Sequence, residues 1–237
     1  MAYGTKYEAF YKRVDGVERY VNLKVEGHTD NPITLCMGPN ALSFEYGASD
    51  SIFGNTICTS QVNLTFLFQE HYELTSFVEN VDSYLCEICE GAVIIWSGFI
   101  EPWDAQHEYR APNYFVSMTA SCGLNRLSKK SFNIDGINPN PFNYWEVIQR
   151  CLSFIGIDRE AQVSVFTTQN GWPAAPNPLT SAIIELYRYN VQGEWMTCDL
   201  IVKDILNKFN AEIFLYKNRW VIRGIADLAN NQTLYAL

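Results

Sequence analysis

Cys86-Glu87-Ile88-Cys89 carries the spacing in this chain most suggestive of metal chemistry. A structural zinc would need two further ligands at matching spacing, and the nearest other candidates, His71 and His107, are single residues on flanking segments. Positions three apart in a strand point to opposite faces, so these two thiols should diverge and read as small buried hydrophobes. Glu101, Asp104, His107 and Glu108 form a second cluster. Paired carboxylates there could hydrolyse a glycosidic bond or hold calcium. The segment lacks the Asp/Asn ladder and glycine of a calcium loop, and reads as an exposed acidic loop. No Gly-x-Ser-x-Gly elbow, phosphate-binding loop or dinucleotide fingerprint occurs. Asn63-Leu64-Thr65 and Asn231-Gln232-Thr233 match the glycosylation sequon, but the N-terminus shows no secretory signal, so both read as chance matches. The residues assign no catalytic, cofactor or metal site, and the expectation is a non-enzymatic protein.

The elements that would position any other site follow from composition and periodicity. Hydrophobic residues make up 48% of the 237 and charged residues 18%, which requires an extensive core. Six Trp, fourteen Tyr and fourteen Phe exceed what such a core demands, so some rings are expected in contacts with partner chains. The net charge of -9 is unevenly spread. Residues 1–118 carry a balance of -10 and residues 119–237 one of +1, and no Lys or Arg occurs between Lys24 and Arg110. That acidic stretch excludes binding nucleic acid through its phosphates. No segment approaches the ~18 apolar residues of a membrane-spanning helix. The seven cysteines are an odd count, and six of them lie in or beside apolar strand or helix patterns that suit reduced, buried thiols, with synthesis in a cytoplasm.

Alternation of period two runs through the first half. It predicts a hairpin over 7–25 turning at Asp15-Gly16, short strands at 33–36 and 42–46 separated by a Gly38-Pro39-Asn40 turn, and a long strand at 56–68. A short helix is expected at 72–80, then a hairpin over 84–100 turning at Glu90-Gly91, with Gly98 marking a bulge, and a last strand at 114–121. Polar and Pro-rich residues at 128–143 set a boundary, giving domains 1–130 and 131–237. Beyond it the period becomes 3.6: Trp145, Ile148, Cys151, Leu152 and Ile155 line one face of a helix over 141–155. Thr197 caps a second helix over 198–209, followed by a hairpin over 211–225 turning at Lys217-Asn218. The fold class is α+β, mainly β: an antiparallel β-barrel or sandwich with a smaller C-terminal α/β domain.

Two strings add a resemblance. Ile94-Ile95-Trp96-Ser97-Gly98-Phe99-Ile100-Glu101-Pro102 is followed by Phe115-Val116-Ser117-Met118-Thr119-Ala120-Ser121-Cys122-Gly123-Leu124 and then Arg126-Leu127. Cys151-Leu152 with Ile155-Gly156, Thr197-Cys198, Ile205-Leu206, Phe209-Asn210-Ala211 and Trp220-Val221-Ile222 continue the order. In this order the motifs resemble tail and baseplate hub structural proteins of tailed phages and prophages of Bacteroidetes, including the crAss-like group, over most of residues 50–225. The resemblance implies a tail-tube-like β-barrel with an α/β companion, assembled with copies of itself and other tail proteins into a ring around the ejection channel. It implies a place in the virion tail, with the host cytoplasm as the site of assembly. An acidic wall would suit such a channel, because passing DNA would not stick to it.

Two other readings stay open at the level of sequence. One is a surface- or carbohydrate-binding module that uses Trp103, Tyr109 and Trp172 as stacking platforms, residues that in the first reading would be assembly contacts. The other is a glycan hydrolase acting through Glu101 and Asp104.

Overall fold

The computed structural model describes residues 3–13, 15–47, 56–69, 84–101, 113–133, 142–165 and 178–225, with the backbone of 106–107 and 235–236. The expected helix at 72–80 lies outside them. The chain divides into two compact units: Met1–Gly47, Ser60–Cys122 and Tyr216–Asn218 form the first, and Ala48–Thr59, Gly123–Leu215 and Arg219–Leu237 the second.

The first unit is a large sheet of β1 (Tyr3–Lys12), β2 (Glu18–Glu26), β3 (Ile33–Tyr46), β5 (Ser60–Phe68), β6 (Tyr84–Glu90), β7 (Val93–Ile100), β8 (Gln106–His107) and β9 (Tyr114–Ser121). Between β3 and β5, the short β4 (Ile57–Cys58) belongs to the second unit. The strands pair in the order β5-β3-β1-β2-β6-β7-β9-β8, and β9 also pairs β5 along Gln61↔Ser121 to Phe68↔Tyr114, so the pairing runs in a circuit. Pairing is antiparallel except between β1 and β3, which run parallel from Tyr7↔Ile33 to Phe10↔Cys36. The connection from β1 to β3 runs through the whole of β2, which makes it long enough for parallel pairing.

The inward face is apolar and filled. Leu23, Leu64, Phe66, Phe68, Ile88 and Met118 are fully buried, with Val21, Val62 and Val116 beside them. The indole N–H of Trp96 reaches across to the Ser60 hydroxyl at 3.1 Å, which satisfies its one donor inside that core. Side chains thus occupy the space the strands face.

Several expectations change in detail. The predicted strands at 33–36 and 42–46 are one strand, β3, whose register shifts between Met37 and Leu42, so Gly38-Pro39-Asn40 is a bulge. Proline supplies no N–H, and Asn40 takes a left-handed φ of 54°, which a bulge accommodates. The predicted strand at 56–68 breaks at Thr59, and its two parts join different sheets. Gly98 is not the bulge either. It pairs regularly with Cys86, and the register shift lies where Ile88↔Trp96 is followed by Cys89↔Ile94. The turn predictions at Asp15-Gly16 and Lys217-Asn218 agree with the structure, the last with φ of 47° and 60°, while the turn expected at Glu90-Gly91 lies one residue later, at Gly91-Ala92, because Glu90 still pairs with Val93.

In the second unit, β10 (Phe142–Asn143) leads into α1 (Tyr144–Ser153), and β11 (Ala161–Ser164) follows. Next come a short α2 (Pro178–Ser181), β12 (Ile183–Ile184), and the small ribbon of β13 (Asn190–Val191) and β14 (Glu194–Trp195). Then α3 (Cys198–Lys208) precedes the hairpin of β15 (Ala211–Tyr216) and β16 (Arg219–Gly224), and β17 (Tyr235–Ala236) ends the series. The sheet order is β17-β11-β16-β15-β4. The helix expected over 141–155 is shorter at its start because Asn143 is the cap: its side chain accepts from the Glu146 N–H, and Glu146 accepts from the Asn143 N–H, both at 2.8 Å. Trp145, Ile148, Cys151, Leu152 and Ile155 are all buried, as their spacing predicts. In α3 the buried face is Ile201, Ile205 and Leu206, while Leu200 is exposed.

An ionic cluster ties α3 to the preceding segment. Asp204 accepts from the Tyr189 hydroxyl at 2.7 Å and from Lys208 Nζ at 2.5 Å. Partial burial would raise the Asp204 carboxyl, but these donors outweigh it and hold the group below the usual aspartate range. Tyr189 is raised in turn, by burial first and by its bond to Asp204 second. A carboxylate held low in the folded state stabilises at neutral pH, above its unfolded pKa of about 3.9, and the contribution is lost as pH falls through the folded value. Asp204→Asn is therefore expected to cost about 0.5–1 kcal/mol at pH 7, a figure discounted for solvent screening, and almost nothing near pH 2. Urea unfolding at the two pH values checks this, and an equal cost at both contradicts it.

Candidate assembly surface

On the outward face of the first unit, strand register builds a surface that no single stretch of sequence displays. Ile94 pairs Cys89, Cys89 pairs Tyr20, Tyr20 pairs Phe10, Phe10 pairs Cys36, Cys36 pairs Leu67, and Leu67 pairs Phe115. Cross-strand partners share a face of the sheet, so these seven residues form one continuous row across seven strands. None of them is charged. Phe10, Tyr20 and Phe115 remain 47%, 40% and 48% exposed, and Cys36 is exposed beside them.

Local contacts hold the row in place. The Phe10 and Tyr20 rings meet at 5.4 Å between centroids, tilted by 48°. Phe115 lies over the bulge in β3: a Cβ at Gly38 would stand 2.9 Å from its ring and 2.8 Å from Thr65 Cγ2, so glycine leaves the space the ring occupies. One position further along the same face, the residues turn polar. Thr34, Glu8, Asn22, Glu87 and Ser97 form the neighbouring row by register, with Thr65 opposite Ser117 on β5 and β9. Thr34 donates to Glu8 at 3.1 Å and Lys24 pairs with Glu87 at 2.7 Å. An apolar stripe bordered by a polar row is the anatomy of a contact surface with a polar rim.

Beside Phe10 and Cys36 the parallel strands part, and a broad cleft of about 1130 Å³ opens between β1 and the bulge of β3. Its lining comes from Phe10 to Arg13 with Asp15, from Thr34 to Gly38, and from Asn40 to Leu42. Diverging strands leave a stretch of sheet margin where an extended segment can add. In contrast, β5 is paired on both sides, to β3 and β9. Its backbone hydrogen bonds on both sides are therefore satisfied within the chain.

The sequence-predicted contacts Trp103, Tyr109 and Trp172 lie outside the described residues, as does Asp104. Glu101 is described, and its carboxylate accepts from the Ser121 hydroxyl. Cys86 and Cys89 fall on opposite faces of β6, Cys86 in register with Leu23 and Cys89 with Tyr20. Among the described residues no three His, Cys, Asp or Glu side chains converge on a metal position. No described helix is long and apolar enough to cross a membrane. The outward row itself left a trace in the sequence. Ala9-Phe10, Tyr20-Val21, Phe66-Leu67-Phe68, Ile88-Cys89 and Tyr114-Phe115-Val116 each break the alternation with a second apolar residue. Only register shows that the breaks line up.

No family model matches the chain, and no curated protein is similar to it in sequence. Among solved structures it is similar to the 43 kDa tail protein of prophage MuSo2 from Shewanella oneidensis, at 14% identity and a TM-score of 0.42, over 77% of this chain and 55% of that one. It is also similar to a tail protein from Neisseria meningitidis MC58, at 13% identity and a TM-score of 0.42, over 77% of this chain and 49% of that one. The chain spans about half the length of both. These structural neighbours are phage tail proteins, and they lend no support to a placement in the Bacteroidetes crAss-like group.

Proposed function

We propose that this chain is a structural component of a phage tail, at the hub or baseplate, which assembles with copies of itself into a ring around the ejection channel. In this reading the circuit of strands in the first unit is a barrel with a packed interior. The channel is then the space enclosed by several copies, and the acid-rich half of the chain contributes its wall. The observation that carries the reading is the outward row from Ile94 to Phe115: uncharged, register-matched, and with Phe10, Tyr20, Cys36 and Phe115 left exposed in the isolated chain. Soluble monomers rarely leave so continuous an apolar stripe uncovered. The row, the cleft beside it and the order of the motifs all fit a chain built to contact neighbours.

The test is the mass of the purified protein over a wide concentration range, with negative-stain images of the largest species. Closed rings with an open centre are the expected result. A monomer at every concentration that also binds glycans, with binding lost in Trp172→Ala, would overturn the reading in favour of a carbohydrate-binding module.

A further inference from the structure

The second unit holds a groove in which the outward row has no part. It encloses about 440 Å³ between α1 and residues 156–160, the link from α1 to β11. Trp145, Gln149, Leu152 and Ser153 stand at i, i+4, i+7 and i+8 on α1, so helical spacing sets them along one side of it. Trp220 closes the other side. It lies opposite Ala161 where β16 runs parallel to β11, and its backbone N–H donates to the Glu160 carbonyl at 2.9 Å.

Floor and rim differ in chemistry. The floor is Trp145, Leu152, Ala161 and Trp220, all of them buried. On the rim, Gln149, Asp158 and Glu160 are exposed, and the Arg159 guanidinium lies over the Trp220 ring, 4.4 Å from its centroid. Stacking of that kind holds a planar set of donors in one orientation. The volume falls within the range of about 300–1,000 Å³ that small-molecule sites occupy.

That lining selects a class of ligand. Its charges cancel, because Arg219 pairs with Glu160 at 2.9 Å and Arg159 offsets Asp158, so a charged ligand gains no net attraction. A flat aromatic ligand would need an open indole face, but Arg159 occupies that of Trp220, and Trp145 is only 8% exposed. What the rim does offer is acceptors and donors side by side: carboxylates, an amide and a guanidinium. A sugar ring presents the complement, with hydroxyls that both donate and accept at its edge and C–H groups on its face for the apolar floor. We propose that this groove binds a neutral pyranose, whose hydroxyls are taken by Gln149, Asp158 and Arg159. The groove lies wholly in the second unit, and the proposal does not rest on the assembly reading.

The experiment is saturation-transfer NMR on the full chain with methyl β-glucopyranoside, methyl β-galactopyranoside and N-acetylglucosamine, each at about 10 mM. Transfer to the ring protons of at least one sugar is expected, with half-saturation in the low millimolar range that suits a ligand of about a dozen heavy atoms. Gln149→Ala combined with Asp158→Ala should weaken that binding by about tenfold or more. Both side chains are exposed, so the thermal midpoint of the variant should match wild type. Trp172→Ala should bind as wild type does, which separates this groove from stacking on Trp172. No transfer to any of the three sugars would overturn the proposal, as would equal transfer in wild type and the double variant. A loss confined to Trp172→Ala would overturn it too. Ring formation is read by a separate measurement, so either proposal can fail alone.

Discussion

Gly98→Ala is expected to destabilise the chain by about 3 kcal/mol and to lower its thermal midpoint by about 6–12 °C. Gly98 sits inside β7, where the strand crosses the end of β9 and pairs through Phe99↔Ser121 and Ile100↔Ala120. A methyl group at position 98 would stand closer than 3.0 Å to the Ser121 carbonyl oxygen and to the Trp96 ring. The ring is buried and held by its bond to Ser60, and the carbonyl is backbone, so neither can simply rotate away. The strands must separate instead, which also disturbs the Ser121 hydroxyl on Glu101. Gly91→Ala is the control. Its φ of 59° strains any side chain, but nothing lies within 4 Å of an added Cβ, so the cost there is conformational, about 1 kcal/mol. Thermal denaturation of the two variants separates close approach from backbone freedom. Equal losses would show that crowding at Ser121 is not what requires the glycine.

The second large effect concerns assembly. Phe10→Ser combined with Phe115→Ser is expected to weaken self-association by about 100-fold or more while the monomer stays folded. Buried aromatic anchors at the centre of an interface each cost about 2 kcal/mol or more when truncated, and every 1.4 kcal/mol is tenfold in affinity. Both rings are roughly half exposed in the single chain, so removing them takes little from its core. Phe115 also covers Gly38, which makes a loss of about 1 kcal/mol in monomer stability reasonable. Sedimentation of wild type and variant at matched concentrations, with thermal unfolding alongside, reads both quantities. If the folded variant forms the same species as wild type at the same concentrations, the row from Ile94 to Phe115 is not the contact surface.

These two cases also mark where sequence reading reaches its limit. Alternation over 114–121 and the buried positions of α1 follow from local periodicity, because which face a side chain takes depends on its own neighbours along the chain. Tight turns were largely legible: Asn218 and Gly91 are of the residue types that tolerate positive φ. The need for a glycine at 98 showed as a break in a β pattern, but its cause did not. Nothing local says that Ser121, on another strand, comes within contact distance, and so a bulge was the natural reading.

Residue types and order alone determined the mainly β first half, the helical period beyond residue 143, the charge asymmetry and the poverty of catalytic motifs. Tertiary structure decided what those residues face. It broke 56–68 between two sheets, ran β1 parallel to β3, and closed the strand pairing through β5 and β9. The reason is physical. Strand register and helix packing are chosen by burial summed over the whole unit, so each partner depends on distant residues that no local window contains.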